Sequence, residues 1–147
     1  YLPAGTCPVE IVHNAIDLNQ WRHRMASVNA AAFRQACSIP PNAVCISFIN
    51  RLDANKNPLG FIQWAEGYYH LWQQSAHRDK PLMFLLAGDG PLAGETVVAI
   101  SNSVISDQFR FLGFQSDIAP ILANTDVAVF LPEKEGFGIG ILECLTN

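Results

Sequence analysis

Two carboxylates stand eight positions apart near the end of the chain, Glu135 and Glu143, in E-G-F-G-I-G-I-L-E (135–143). The segment follows an apolar run, D-V-A-V-F-L-P (126–132). A buried strand therefore opens into a loop of acid and bare glycine backbone. Gly136 and Gly138 present no side chain, so a ligand can come close to main-chain N–H groups around Phe137. At a helix start those groups are unpaired and carry partial positive charge, which suits an anion or a sugar phosphate. Glu143 interrupts an otherwise apolar helical stretch. A carboxylate there can accept hydrogen bonds from neighbouring hydroxyls, such as those of a sugar or ribose. A ligand-free glycine turn and an exposed helix acid share the same spacing, and spacing leaves both open.

A second group lies earlier. Arg51 and Lys56 flank the loop N-R-L-D-A-N-K-N (50–57) after another apolar run. A diphosphate needs cationic donors, and the two side chains supply them with different geometry. Ordinary solvated loop charges give the same pattern. The tetrapeptide G-D-G-P (88–91) reads as a tight turn leading into a helix, in preference to a phosphate loop. Glu133 and Lys134 read as solvated charges. His13, His23, His70 and His77 are scattered and read as structural or exposed.

These loops need elements to hold them. Strong apolar runs recur: A-V-C-I-S-F-I (43–49), P-L-M-F-L-L-A-G (81–88), Q-F-R-F-L-G-F (108–114) and D-V-A-V-F-L-P (126–132). The first, second and fourth are nearly continuous and bounded by turn signals, as in strands covered on both faces. Helical patterns follow each. Asn57 and Pro58 mark one start, with Leu59, Ile62, Ala65, Tyr69 and Trp72 on one face. Pro91 opens a helix to about Val104, and Ser116 caps a short one through Asn124. The alternation predicts an α/β fold, a doubly wound Rossmann-like parallel sheet with its βα loops along one carboxyl edge. Residues 1–42 read as an entering segment, with a strand and turn in V-E-I-V-H-N-A-I-D (9–17) and one helix over 21–37. Residues 43–147 read as the βα repeats.

Bulk properties bound the reading. The chain has 147 residues, half apolar and only 15% charged, enough for a core of one domain. A net charge of −4 argues against a nucleic-acid partner. No apolar stretch has the length of a membrane span, and the first residues do not read as a signal peptide. The start without Met is expected of a segment from a longer chain. Cys7, Cys37, Cys45 and Cys144 form no CxxC pair and read as free thiols, with Cys45 and Cys144 in apolar runs.

Five segments in order resemble one family. H-N-A-I-D (13–17) resembles an N-G-[VI]-D turn. N-R-L-D-A-N-K-N resembles a G-R-L-x-x-x-K-N loop. L-L-A-G-D-G-P (85–91) resembles a strand with G-[DE]-G-P, F-L-G-F (111–114) the next strand end, and E-G-F-G-I-G-I-L-E an E-x7-E signature. The chain thus resembles the C-terminal, donor-binding half of GT-B glycosyltransferases of family 4, the retaining glycosyl transferases group 1, as a truncated piece. Asn50 and Ala15 stand where that pattern has glycine.

The resemblance implies that Arg51 and Lys56 hold a donor diphosphate and that Glu135 binds donor-sugar hydroxyls. It implies that Gly136, Phe137 and Gly138 offer backbone contacts, Glu143 holds the ribose, and the base lies near the loop after F-L-G-F. It implies a nucleotide-sugar donor, an unspecified acceptor (glycan, lipid or small molecule), no metal and no other cofactor. It also implies an N-terminal partner domain outside this sequence, without which the fragment would be inactive. The expected location is cytoplasmic or peripheral at a membrane's inner face. The alternatives are a non-catalytic nucleotide-binding or scaffold module and, further off, an oxidoreductase domain, which the first strand disfavours by lacking G-x-G-x-x-G.

Overall fold

A computed structural model describes residues 10, 12–134 and 138–146. Glu135, Gly136, Phe137 and Cys7, and the start of the expected entering strand, lie outside the described residues. The elements run α1 (Leu18–Ala26), α2 (Ala30–Ala36), β1 (Val44–Ile49), α3 (Pro58–Gln74), β2 (Leu82–Ala87), α4 (Ala93–Asn102), β3 (Phe109–Gly113), α5 (Ala119–Leu122), β4 (Val127–Ala128) and α6 (Ile139–Leu145). One 3₁₀ turn, Ser106–Gln108, precedes β3.

The strands form one parallel sheet in the order β3-β2-β1-β4. Each is followed by a helix, and alternate residues of β1 and β2 feed two separate cores. Ile46, Phe48, Phe84 and Leu86 pack with Phe61, Ile62 and Ala65 of α3. Cys45, Met83, Leu85 and Ala87 pack with Ile39 and with Ile121 of α5. Continuous apolar strands are thus covered on both sides, the doubly wound arrangement the sequence predicts. Burial lifts the Cys45 thiol to about 11, so it is a thiol and not a thiolate at neutral pH. Cys37, Cys45 and Cys144 are all free. The four histidines are exposed.

Several boundaries differ from the sequence reading. The single helix over 21–37 is two helices, because Asp17 caps the first through the N–H groups of Asn19 and Gln20 and Asn29 caps the second through Ala32. The described residues before Asp17 form no strand. Asp117, not Ser116, receives the first N–H of α5, from Ala119 at 3.0 Å. The α4 helix stops at Asn102, since Ser103 is extended and its hydroxyl donates to Glu66 at 2.6 Å. On α3 the most buried aromatic is Phe61, stacked 4.8 Å from Phe48. Strand β4 is short: Asp126 caps its entry by accepting from the Cys45 N–H at 2.7 Å, and pairing ends where Val129 donates to Ser47.

Three arginines are committed to this frame. Arg34 donates to the carbonyls of Pro40 and Ala43 and to Asn124. Arg110 donates to those of Cys37 and Ser38. Arg24 of α1 pairs with Asp117 at 3.0 Å.

Candidate functional site

From β1 the chain moves outward on one side, to β2 and β3, then crosses back to place β4 on the other side of β1. The strand order reverses between β1 and β4. Loops there diverge to opposite faces and leave a crevice at the carboxyl edge. The loop holding Arg51 and Lys56 leaves β1 at this crevice, and the chain leading to Glu133 and Lys134 leaves β4 beside it.

A cavity of about 380 Å³ opens along the same edge. Its walls are Ile49, Asn50 and Arg51 after β1, Ala87, Gly88 and Asp89 after β2, and Phe114, Gln115 and Ile118 after β3. Phe114 is 73% exposed, an aromatic face at the rim. Main-chain geometry explains the glycines. The Gly88 φ is +145° and the Gly90 φ is +156°, and each lies against the backbone carbonyl of Asn50 or Leu52. G-D-G is therefore the close packing of the β2 turn onto the β1 loop, in line with its reading as a turn.

Loop 50–57 is internally fastened. Asp53 is central and sequence reasoning missed it. One of its oxygens lies 3.2 Å from Arg51 Nε, and the other accepts from the Lys56 N–H at 3.0 Å. The signal was available: an Asp in a polar loop commonly closes a turn by accepting from a following main-chain N–H. The Leu52 N–H donates to Asp89 O and the Leu92 N–H to Leu52 O, which dock the loop onto the β2 turn. Asn57 has a left-handed backbone, φ +55°, and caps α3 through the Gly60 N–H. The Arg51 side chain is 70% exposed and lines the cavity; Lys56 is half-buried.

Gly138 caps α6 with extended backbone, accepting from Ile141. Glu143, on α6, opens onto a second, smaller cleft of about 230 Å³ with Asp17, Gln20, Trp21 and Arg24 of the α1 end. It does not line the cavity that Arg51 lines. Arg24 of this cleft pairs with Asp117, the residue before Ile118 of the first. Burial raises the Glu143 carboxyl above its ordinary value of 4.5, and nearby Arg24 partly opposes the rise.

The sign follows by linkage. The folded state holds the Glu143 proton more tightly than the unfolded state, so stability falls as pH rises from the unfolded to the folded pKa. Glu143→Gln should remove that slope. Its melting temperature at neutral pH should equal or slightly exceed that of the parent, by differential scanning fluorimetry across pH 4–7. A variant clearly less stable at pH 7 would show that the carboxylate is held by favourable contacts.

The fold and its edge crevice are those of one half of a GT-B architecture, a Rossmann-like α/β domain. The chain belongs to the family Glycosyl transferases group 1, whose model matches residues 30–147. It is 26% identical over 143 residues to an alpha-D-kanosaminyltransferase of Streptomyces kanamyceticus, covering 95% of this chain and 35% of that protein. Over 61 residues it is 41% identical to the N-acetyl-alpha-D-glucosaminyl L-malate synthase of Bacillus anthracis, covering 42% of this chain and 16% of that one. Anabaena HepE in complex with UDP-glucose superimposes with a TM-score of 0.69 at 20% identity, over 93% of this chain and 36% of that one. This chain thus spans about a third or less of these relatives' length. Among the described residues, no helix is long and apolar enough to cross a membrane.

Proposed function

We propose that this chain is the donor-binding part of a retaining glycosyltransferase that moves a sugar from a nucleotide sugar to an acceptor. The observation that carries the reading is the cavity at the carboxyl edge, with Arg51 on its wall and the Lys56 loop beside the β1–β4 crevice. A related Escherichia coli enzyme is named as a UDP-Gal-dependent alpha-1,3-galactosyltransferase, 25% identical over 137 residues. The sugar of UDP-galactose is α-linked, so an α product means retention, which supports the same outcome here.

In this reading the base enters beside Phe114 and Gln115, and Arg51 and Lys56 meet the diphosphate. Glu135 and the backbone of Gly136, Phe137 and Gly138 serve the donor sugar, while Glu143, which opens onto the second cleft, is given no donor contact. As the glycosidic bond breaks, the leaving diphosphate gains negative charge. Cations fixed beside it stabilise that charge more in the transition state than in the ground state. These cations take the part a metal plays elsewhere, so no metal is required. The acceptor and an N-terminal domain complete the enzyme, which works in the cytoplasm or at a membrane's inner face.

Calorimetric titration of the protein with UDP, ADP and GDP, with and without EDTA, tests this. One nucleoside diphosphate should bind best and EDTA should not matter. Equal weak binding of all three would identify a degenerate scaffold, and binding that needs a divalent cation would remove the metal-free mechanism.

A further inference from the structure

The register between β1 and β4 covers only Ile46↔Val127 and Ser47↔Ala128. Main-chain pairing ends at the Val129 N–H, which donates to Ser47 at 2.8 Å. Beyond that point two loops leave the sheet side by side, and one residue ties them. The Glu133 N–H donates to the Asn55 main-chain oxygen at 2.9 Å. The Lys134 N–H donates to Asn55 Oδ1 at 3.0 Å, and Asn55 Nδ2 donates back to the Lys134 carbonyl at 3.0 Å.

The side chain thus acts as one more peptide unit, closing a reciprocal pair with the backbone of Lys134. A short side-chain amide offers a donor and an acceptor on two separate atoms at this reach, as a peptide unit does. Asp would keep the acceptor and set a carboxylate against the Lys134 carbonyl. Ala would keep only the main-chain bond.

The location gives this bridge a consequence. Asn55 precedes Lys56 and shares its loop with Arg51. That loop is docked on its other flank through Leu52 to Asp89. With Asn55 in place it is pinned to both neighbouring strand tips.

We propose that Asn55 is a positioning residue: it fixes the Arg51–Lys56 loop against the chain leaving β4, so that both cations are preset for a diphosphate. It touches no ligand itself. Holding charged groups in the bound arrangement beforehand avoids part of the ordering cost of binding. The proposal rests on the diphosphate reading above.

The test uses UDP as probe and the protein as it stands, with Asn55→Ala and Asn55→Asp. Each variant should bind UDP about tenfold more weakly, with nearly unchanged thermal stability, since exposed hydrogen bonds add little to folding. The loss should shrink in an Arg51→Ala background, because a positioned group and its positioner act non-additively. Amide hydrogen exchange at Lys134 in the free protein should be slow, and fast in Asn55→Ala.

Undiminished UDP affinity in either variant overturns the proposal, as does a loss that adds fully to that of Arg51→Ala. A fast-exchanging Lys134 amide in the parent removes the bridge itself. A protein with a protected amide that binds no UDP sinks the diphosphate reading and the role of Asn55 with it, while leaving the bridge in place.

Discussion

On the proposed donor-binding role, the full-length protein carrying Arg51→Ala should transfer sugar about 10²-fold more slowly than the unaltered protein, or worse, with most of the loss in kcat. The leaving nucleoside diphosphate becomes more negative only as the glycosidic bond breaks, so a cation beside it favours the transition state over bound donor. Arg51 is suited to that part. Its side chain is 70% exposed and lines the edge cavity, and Asp53 Oδ2 holds its Nε at 3.2 Å. That contact is made by Nε, and the guanidinium carries further donors on its two terminal nitrogens. As a surface ion pair it contributes at most about 1 kcal/mol to folding. Stability should therefore be nearly unchanged while turnover collapses, which separates the chemical role from a structural one. Arg51→Lys keeps the charge and loses the planar pair of donors, so it should recover activity only in part. Steady-state kinetics at saturating donor decides the matter: turnover of Arg51→Ala equal to the parent's would take this residue out of the mechanism.

Much of the frame could be read from residue order. Three of the four apolar runs are strands of five or six residues. β1 and β2 are buried on both faces and so leave a continuous apolar signal, while β3, at the sheet edge, is partly exposed beyond Phe109. The Asn57–Pro58 start of α3 was equally plain, since a side-chain cap and a fixed φ are local effects. What could not be read depends on pairings far apart in sequence. β4 shrinks to two residues because the chain turns away after Ser47 accepts from Val129. Phe61 surpasses the expected α3 face because it meets Phe48 on a strand. At the site, the Arg51–Lys56 loop was placed on the correct edge by the βα alternation alone. Asn55 was passed over, since its partners lie about eighty residues away. Glu143 was grouped with Glu135 by spacing, yet its cleft is built with α1, which no local pattern announces.

The largest effect on folding should come from Gly88→Ala. An added Cβ at Gly88 would run into the carbonyl oxygen of Asn50, with Leu52 Cδ2 only 3.5 Å away. The backbone there is at φ +145°, a region that side-chain-bearing residues rarely occupy. Relief by movement is blocked on both sides. The Gly88 N–H donates to Gly113 O at 2.8 Å, and the Asn50 N–H donates to Ala87 O at 3.1 Å. Backbone strain and overpacking each cost about 1–3 kcal/mol, so a loss of about 3 kcal/mol or more is expected. For a chain of this size that lowers the melting temperature by roughly 10 °C. Gly67→Ala supplies the opposite sign. Gly67 lies inside α3, and nothing stands within 4 Å of its would-be Cβ. Alanine there should raise stability by up to about 1 kcal/mol, because it reduces the freedom of the unfolded chain. Thermal melts of the two variants side by side separate glycine needed for close packing from glycine merely tolerated. A Gly88→Ala protein as stable as the parent would mean that the β2 turn does not rest on the Arg51 loop, and the wall of the cavity would have to be drawn elsewhere.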